Sequence, residues 1–349
     1  MHRLTGNSST RSALPRYVTK STPLIRYALF PLCLALSTGA SAQPDWLQVT
    51  WENDLFAGED DGYTNGAAVS WGYRGLSDFD QERLPGWLAF LAQRSYLADS
   101  GTQRAVSYSI GQAMFTPEDI EVRTPLPTDR PYAGLLLWST SIYAYDERVS
   151  DRLSLSLGAV GPIAGAKPAQ RFIHSVTGGS NPRGWSNQLR NEPVFAVGAQ
   201  RLWRLGAATV GGLELDSVAG AYAGAGNLLS NADAGITFRL GSRLADTWSA
   251  VSLIPSRTLN TFALEKRSSW QLYLSMTGRY VFNDITLDGN TFRDSPSVPL
   301  KHRLALGSAG IALNRGRWGA TLSYQLGTDQ YEGQEIVNRF GSLAVTHFF

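Results

Sequence analysis

The residues best suited to chemistry fall into three clusters. Glu52-Asn53-Asp54 runs into the acidic turn Glu59-Asp60-Asp61, and Tyr63-Thr64-Asn65-Gly66 follows at once. Far along the chain come Gln170, His174, Gly184-Trp185, Gln188 and Asn191-Glu192-Pro193. These types suit hydrolysis. An imidazole titrates near neutrality and can take a proton from water, which makes His174 the candidate general base. Asp54 offers an oxygen ligand to a hard cation such as Ca²⁺. That cation, or the Asn53 amide, can stabilise an ester oxyanion. Thr64 can orient a water or a substrate oxygen. Of the four histidines, His2 lies in the N-terminal segment, His347 falls in the last strand and His302 begins another, which leaves His174 as the loop histidine. Pro168 to Thr177 reads as a short helix ending at Gly178, with Gln170 one turn before His174.

The same residues have plainer uses. A loop histidine is often structural, and acidic turns are ordinary hairpin chemistry. Asn53 and Asp54 can simply end a strand. Glu192 can be a charge inside a barrel, paired with Arg190 or Arg201, and Asp129-Arg130-Pro131-Tyr132-Ala133-Gly134 can be a strand entry with a local ion pair.

The elements that would position these clusters are strands. Ala67, Val69, Trp71 and Tyr73 alternate with Ser70 and Gly72; Leu153, Leu155 and Leu157 alternate with Ser154, Ser156 and Gly158; Trp318, Ala320, Leu322 and Tyr324 alternate with Thr321, Ser323 and Gln325. Side chains on a strand point to opposite faces in turn, so each segment has one apolar and one polar surface. Only 17% of the 349 residues are charged, 11% are aromatic and 35 are Gly. No apolar run reaches the ~18 residues of a membrane-spanning helix. Together with strands of about ten residues and the terminal Leu343, Val345, His347, Phe349 alternation, this predicts an all-β, antiparallel outer-membrane barrel.

Twelve strands are expected, near 46–53, 63–75, 103–115, 132–147, 150–160, 192–204, 207–222, 232–242, 268–283, 301–314, 316–327 and 337–349. With the N-terminus in the periplasm, connections 54–62, 116–131, 161–191, 223–231, 284–299 and 328–336 lie outside, so all three clusters share the outer end. Two periplasmic connections, 76–102 and 243–267, are long. The first contains Pro85-Gly86-Trp87-Leu88-Ala89-Phe90-Leu91, which suits a helix on the membrane surface; the second suits an irregular segment in or under the lumen.

Residues 1–42 carry Arg3, Arg11, Arg16, Lys20 and Arg26 and no acid, then an apolar stretch and Ala40-Ser41-Ala42. This is the pattern of a signal peptide cleaved after Ala42, leaving 43–349 as the barrel. Without it Lys+Arg falls from 31 to 26 against 29 acids, a net charge of −3, and the only cysteine, Cys33, is lost. Disulfide and thiol chemistry are excluded for the remaining chain, and nucleic acid is not an expected partner.

In combination, Glu52-Asn53-Asp54-Leu55-Phe56, Tyr63-Thr64-Asn65-Gly66, Gly111-Gln112-Ala113-Met114-Phe115-Thr116-Pro117, Asp129-Arg130-Pro131-Tyr132-Ala133-Gly134 and the Gln170 to Pro193 series resemble the outer-membrane lipid A 3′-O-deacylase (LpxR-type) family. The resemblance spans about residues 46–349. It implies a twelve-stranded barrel that works on lipid A of lipopolysaccharide in the outer leaflet and removes the 3′-linked acyloxyacyl chain with Ca²⁺. Carried onto this chain, the functional residues are Asn53, Asp54, Thr64 and the base His174. One position departs: the family's functional Glu six residues after the His aligns with Ser180, and the nearest acid in that loop is Glu192. Two other readings stand beside it. One is a lipase barrel whose Ser nucleophile, Ser107, Ser109 or Ser180, is activated by His174. The other is a barrel without catalysis, a narrow pore or structural protein.

Overall fold

The alternating segments close on themselves. In a computed structural model, which describes residues 43–53, 63–79, 83–101, 103–124, 126–177, 182–248, 268–335 and 337–349, the described residues form a barrel of twelve antiparallel strands. The strands are β1 Trp46–Asn53, β2 Tyr63–Leu76, β3 Gln103–Phe115, β4 Ala133–Tyr145, β5 Val149–Val160, β6 Glu192–Val210, β7 Leu213–Ala225, β8 Leu229–Gly241, β9 Ser269–Asp284, β10 Arg303–Arg315, β11 Trp318–Gly327 and β12 Asn338–Phe348. Neighbours pair in chain order, and β1 meets β12 with Trp46 opposite Phe348 and Asn53 opposite Gly341. Closure leaves no unpaired strand edge, a requirement in hydrocarbon. The proposed signal segment, residues 1–42, lies outside the described residues.

Burial is inverted relative to a soluble protein. On β1 the apolar Leu47, Val49 and Trp51 are exposed, while Gln48, Thr50 and Glu52 are buried. The buried polar face lines the lumen, where Gln48 donates to Thr50 Oγ1 at 3.0 Å and accepts from Thr346 at 3.0 Å. Arg279 forks onto Asp233 at 3.0 and 2.9 Å, and Arg239 pairs with Asp216 in the same way. Bidentate pairing of this kind meets the need of a buried charge for a partner. Among the described residues side chains fill most of the lumen, and a cavity of about 580 Å³ opens at its inner end between Asp45, Tyr145 and Trp248. At its outer mouth a cavity of about 70 Å³ remains between Arg130, Arg279 and Leu287, room for a few waters.

Several boundaries move. The expected break between strands 192–204 and 207–222 is a bulge in the register at Arg204/Gly206, and the hairpin turns later, at Gly211-Gly212, both with positive φ. Two left-handed residues suit the tight turn of a twisted hairpin. Segment 85–91 is helical, as α1 Gly86–Arg94, and it packs against the outside of the barrel wall. Its Leu88, Ala89 and Ala92 pack on Tyr73, Tyr108, Trp138 and Ile142, all outward-facing strand positions, with Trp87 and Trp138 rings 6.3 Å apart. The opposite face keeps Phe90 52% and Leu91 53% exposed. A helix apolar on both faces fits only between protein wall and lipid. Of the long 243–267 connection, residues 243–248 tuck under the lumen: Arg204 and Arg239 donate to the Thr247 carbonyl at 3.0 and 3.1 Å. Residues 249–267 lie outside the described residues.

Candidate functional site

The outer ends of β1 to β4 carry one row of laterally paired, outward-facing positions: Asn53, Asn65, Met114 and Gly134. Further down the strands this face meets lipid, as at Trp51, Val69 and Ile110. At the outer end it is covered. Asn53 and Asn65 are each only 3% exposed, and Met114 is buried as well.

Over β3 and β4 the cover is α2, Ala166–Thr177, which packs there from outside the barrel. Its inner face follows the helical period: Ala166, Ala169, Gln170, Ile173 and His174 are buried or half-buried, whereas Arg171, Phe172 and Ser175 are exposed. Ala166 packs with Met114, Tyr132 and Trp185. Gly134 lets the helix approach: a Cβ there would come within 2.6 Å of the Ala166 Cβ. Gln112 donates to the Ala164 carbonyl at 2.5 Å and anchors the lead-in.

Helix geometry sets the reach. Eight residues from Ala166 to His174 rise ~12 Å, while three strand spacings from Gly134 to Asn53 span ~14 Å. A helix of this length that starts over β4 is long enough to span the distance to the asparagines of β2 and β1.

Gln170, 1% exposed, accepts from Trp185 Nε1 at 2.6 Å, which leaves its own Nε2 buried without a partner. Trp185 stacks on Tyr132, ring centroids 4.9 Å apart, and Tyr132 donates to the Ile120 carbonyl at 3.0 Å. Burial pushes the Tyr132 phenol up to about 12, so it remains a donor at neutral pH. The tyrosine and tryptophan thus fix loops 116–132 and 161–191 to each other and hold Gln170 one turn before His174.

The expected site residues are distributed as follows. Asn53 and His174 (8% exposed) lie at the outer end, on the outer side of the wall. Thr64 is the extra residue of a β-bulge: Tyr63 pairs with Phe115 and Asn65 with Met114. Bulges re-aim a strand beside functional sites. Asp54 and Ser180 lie outside the described residues. The other histidines have structural settings: His302 Nδ1 is 2.7 Å from the Val281 carbonyl, and His347 sits between Trp318 and Phe349.

Three plainer expectations change. Glu192 pairs with neither Arg190 nor Arg201. It faces inward and accepts from Asn290 Nδ2 and the Thr291 and Phe292 amides at 3.1, 2.9 and 3.2 Å, tying down the loop after β9. Arg201 instead forks onto Asp151. Asp129 caps its neighbour's backbone N–H and accepts from Tyr331, while the Arg130 guanidinium turns to Thr286 and the Phe115 ring. Ser107 and Ser109 face the lumen; Ser107 lies 3.3 Å from the Tyr143 hydroxyl. The wall separates both from His174, so neither is a nucleophile for it.

The Asn53 amide offers an oxygen donor of the kind a hard cation takes, and Asp54, the other residue expected to hold the ion, lies outside the described residues. Among the described residues no three His, Cys, Asp or Glu come together. That donor chemistry fits a hard, oxygen-preferring ion rather than zinc.

Comparison with known proteins agrees with this fold. The family model described as outer membrane protein LpxR matches residues 27–349. Among solved structures, LpxR from Salmonella typhimurium superposes with a TM-score of 0.72 at 17% identity, covering 87% of this chain and 100% of that one. The β domain of the Bordetella autotransporter BrkA follows at a TM-score of 0.42 and 10% identity, covering 87% and 98%. A search of curated proteins finds no match.

Proposed function

The chain belongs to the LpxR family of outer membrane proteins, and on that premise we propose that it is a Ca²⁺-dependent esterase that removes the 3′-linked acyloxyacyl chain of lipid A. The observation that supports this reading is that the buried polar residues Asn53 and Asn65 lie on the outward face at the outer end of the wall, and that α2 packs on the same face over β3 and β4, on the side an outer-leaflet lipid reaches by lateral diffusion. A pore or a lumen enzyme would gather its working residues inside the barrel, whereas Asn53 and Asn65 face out of it.

In this reading His174 takes a proton from water as the water oxygen attacks the acyl carbonyl carbon. The ester C–O bond then breaks, the proton passes to the departing sugar oxygen, and the products are a free fatty acid and a 3′-hydroxyl. Gln170, clamped by Trp185, holds the helix turn that orients His174. Thr64 orients the water. Asn53 and Asp54 would hold the cation, which when bound supplies positive charge to the developing oxyanion. Glu192 is committed to the loop after β9, so it does not replace the family Glu that aligns with Ser180; His174 works here without that acid.

The direct test is the mass of lipid A from an outer-membrane-proficient host expressing the chain. The expected result is loss of one acyloxyacyl unit; unchanged mass with correctly folded protein overturns the reading. Gly134→Val tests the cleft itself. Valine suits a strand but its side chain would push Ala166 away, since even a Cβ would sit 2.6 Å from it. We expect an intact barrel by heat-modifiable gel mobility and deacylation reduced at least ~10-fold, because small displacements of a catalytic group are costly.

A further inference from the structure

Asn65 is the most anomalous polar residue of the cleft. It sits beside Asn53 across the β1–β2 ladder and beside Met114 across β2–β3, on the outward face. It is 3% exposed, and its Nδ2 is buried with no hydrogen-bond partner. Buried donors are almost always satisfied, and an orphan in a folded protein calls for an explanation. Its surroundings supply one. The bulge at Thr64 immediately precedes it, its lateral partner Met114 packs against Ala166 of α2, and the strand on which it stands is hydrogen-bonded to a neighbour on both sides. A donor held on a rigid strand, desolvated and unpaired, is prepared for an acceptor that arrives with the substrate.

We propose that Asn65 is a further catalytic residue: its Nδ2–H donates a hydrogen bond to the carbonyl oxygen of the ester being cleaved, and holds it as negative charge develops there. This inference rests on the esterase reading above. Ester carbonyls are the acceptors that an acylated lipid presents, and an acyl chain lying along the lipid-facing wall leads its carbonyl to this row. The bond forms fully only with substrate bound, which accounts for the empty donor in the free protein.

The proposal makes an unusual pairing of effects. Removing an unpaired buried donor relieves a desolvation penalty, so Asn65→Leu, which keeps the side-chain shape, should leave the thermal unfolding midpoint unchanged or raise it. The same change should lower kcat on lipid A in detergent micelles by ~10²–10³-fold with little change in KM, the size seen when one oxyanion donor is lost. Asn65→Asp, which keeps oxygen and loses the donor, should be equally inactive. An active Asn65→Leu overturns the proposal. So does an inactive one with a markedly lowered midpoint, since the amide is then structural. An Asn65→Asp variant with undiminished activity or tighter Ca²⁺ binding shows that the residue acts through its oxygen, and also overturns it. Wild-type protein without turnover on lipid A overturns the parent reading; wild-type turnover with an active Asn65→Leu overturns this one alone.

Discussion

Replacing His174 with Ala is expected to lower lipid A deacylation by ~10²–10⁴-fold, the contribution of a positioned general base, without unfolding the barrel. The side chain belongs to α2, which packs on the outside of a wall already closed by twelve ladders of hydrogen bonds. Truncating it removes no lumen contact and no strand pairing. Mass spectrometry of lipid A from expressing cells reads the first effect, and heat-modifiable mobility reads the second. A base role adds a signature that a structural role does not: kcat should fall with little change in KM, and His174→Gln, which keeps a polar side chain but no base, should not restore it. Full activity in His174→Ala would remove the base from the mechanism and leave α2 as a cover only.

Chelation is expected to have an effect of similar size. With Asn53 at the edge of the covered row and Asp54 the next residue, EDTA should abolish turnover by purified protein, and Ca²⁺ should restore it. Mg²⁺ should restore it poorly, because it demands a small octahedral shell and gives up water reluctantly. Asp54→Asn should raise the Ca²⁺ concentration needed for half-maximal rate by at least ~10-fold while leaving the barrel folded. Turnover that survives exhaustive chelation would assign the oxyanion to protein donors alone and would place more of the burden on Asn65.

The legibility of the sequence differed sharply between wall and site. The strands were legible because side-chain alternation is a local signal, written every two residues. Trp51 beside Glu52 already separates lipid from lumen. Errors came where a local signal has two meanings. Leu205-Gly206 reads as a turn, yet pairing continues through it as a bulge and the hairpin closes at Gly211-Gly212. Segment 85–91 reads as a membrane-surface helix, and the structure adds that one of its apolar faces packs on the outer wall of β2 to β5.

Residue types and order alone determined that this chain is an outer-membrane barrel, that its polar clusters share one end, and that His174 is its loop histidine. Only the closed tertiary structure decided which side of the wall each of the described polar residues faces. Strand register put Asn53, Asn65, Met114 and Gly134 in one outward row, turned Ser107 and Ser109 into the lumen, and drew Glu192 to the loop after β9. Register is a property of pairs of strands, and the cover supplied by α2 depends on a glycine more than thirty residues away, so neither is encoded in any local stretch of the chain.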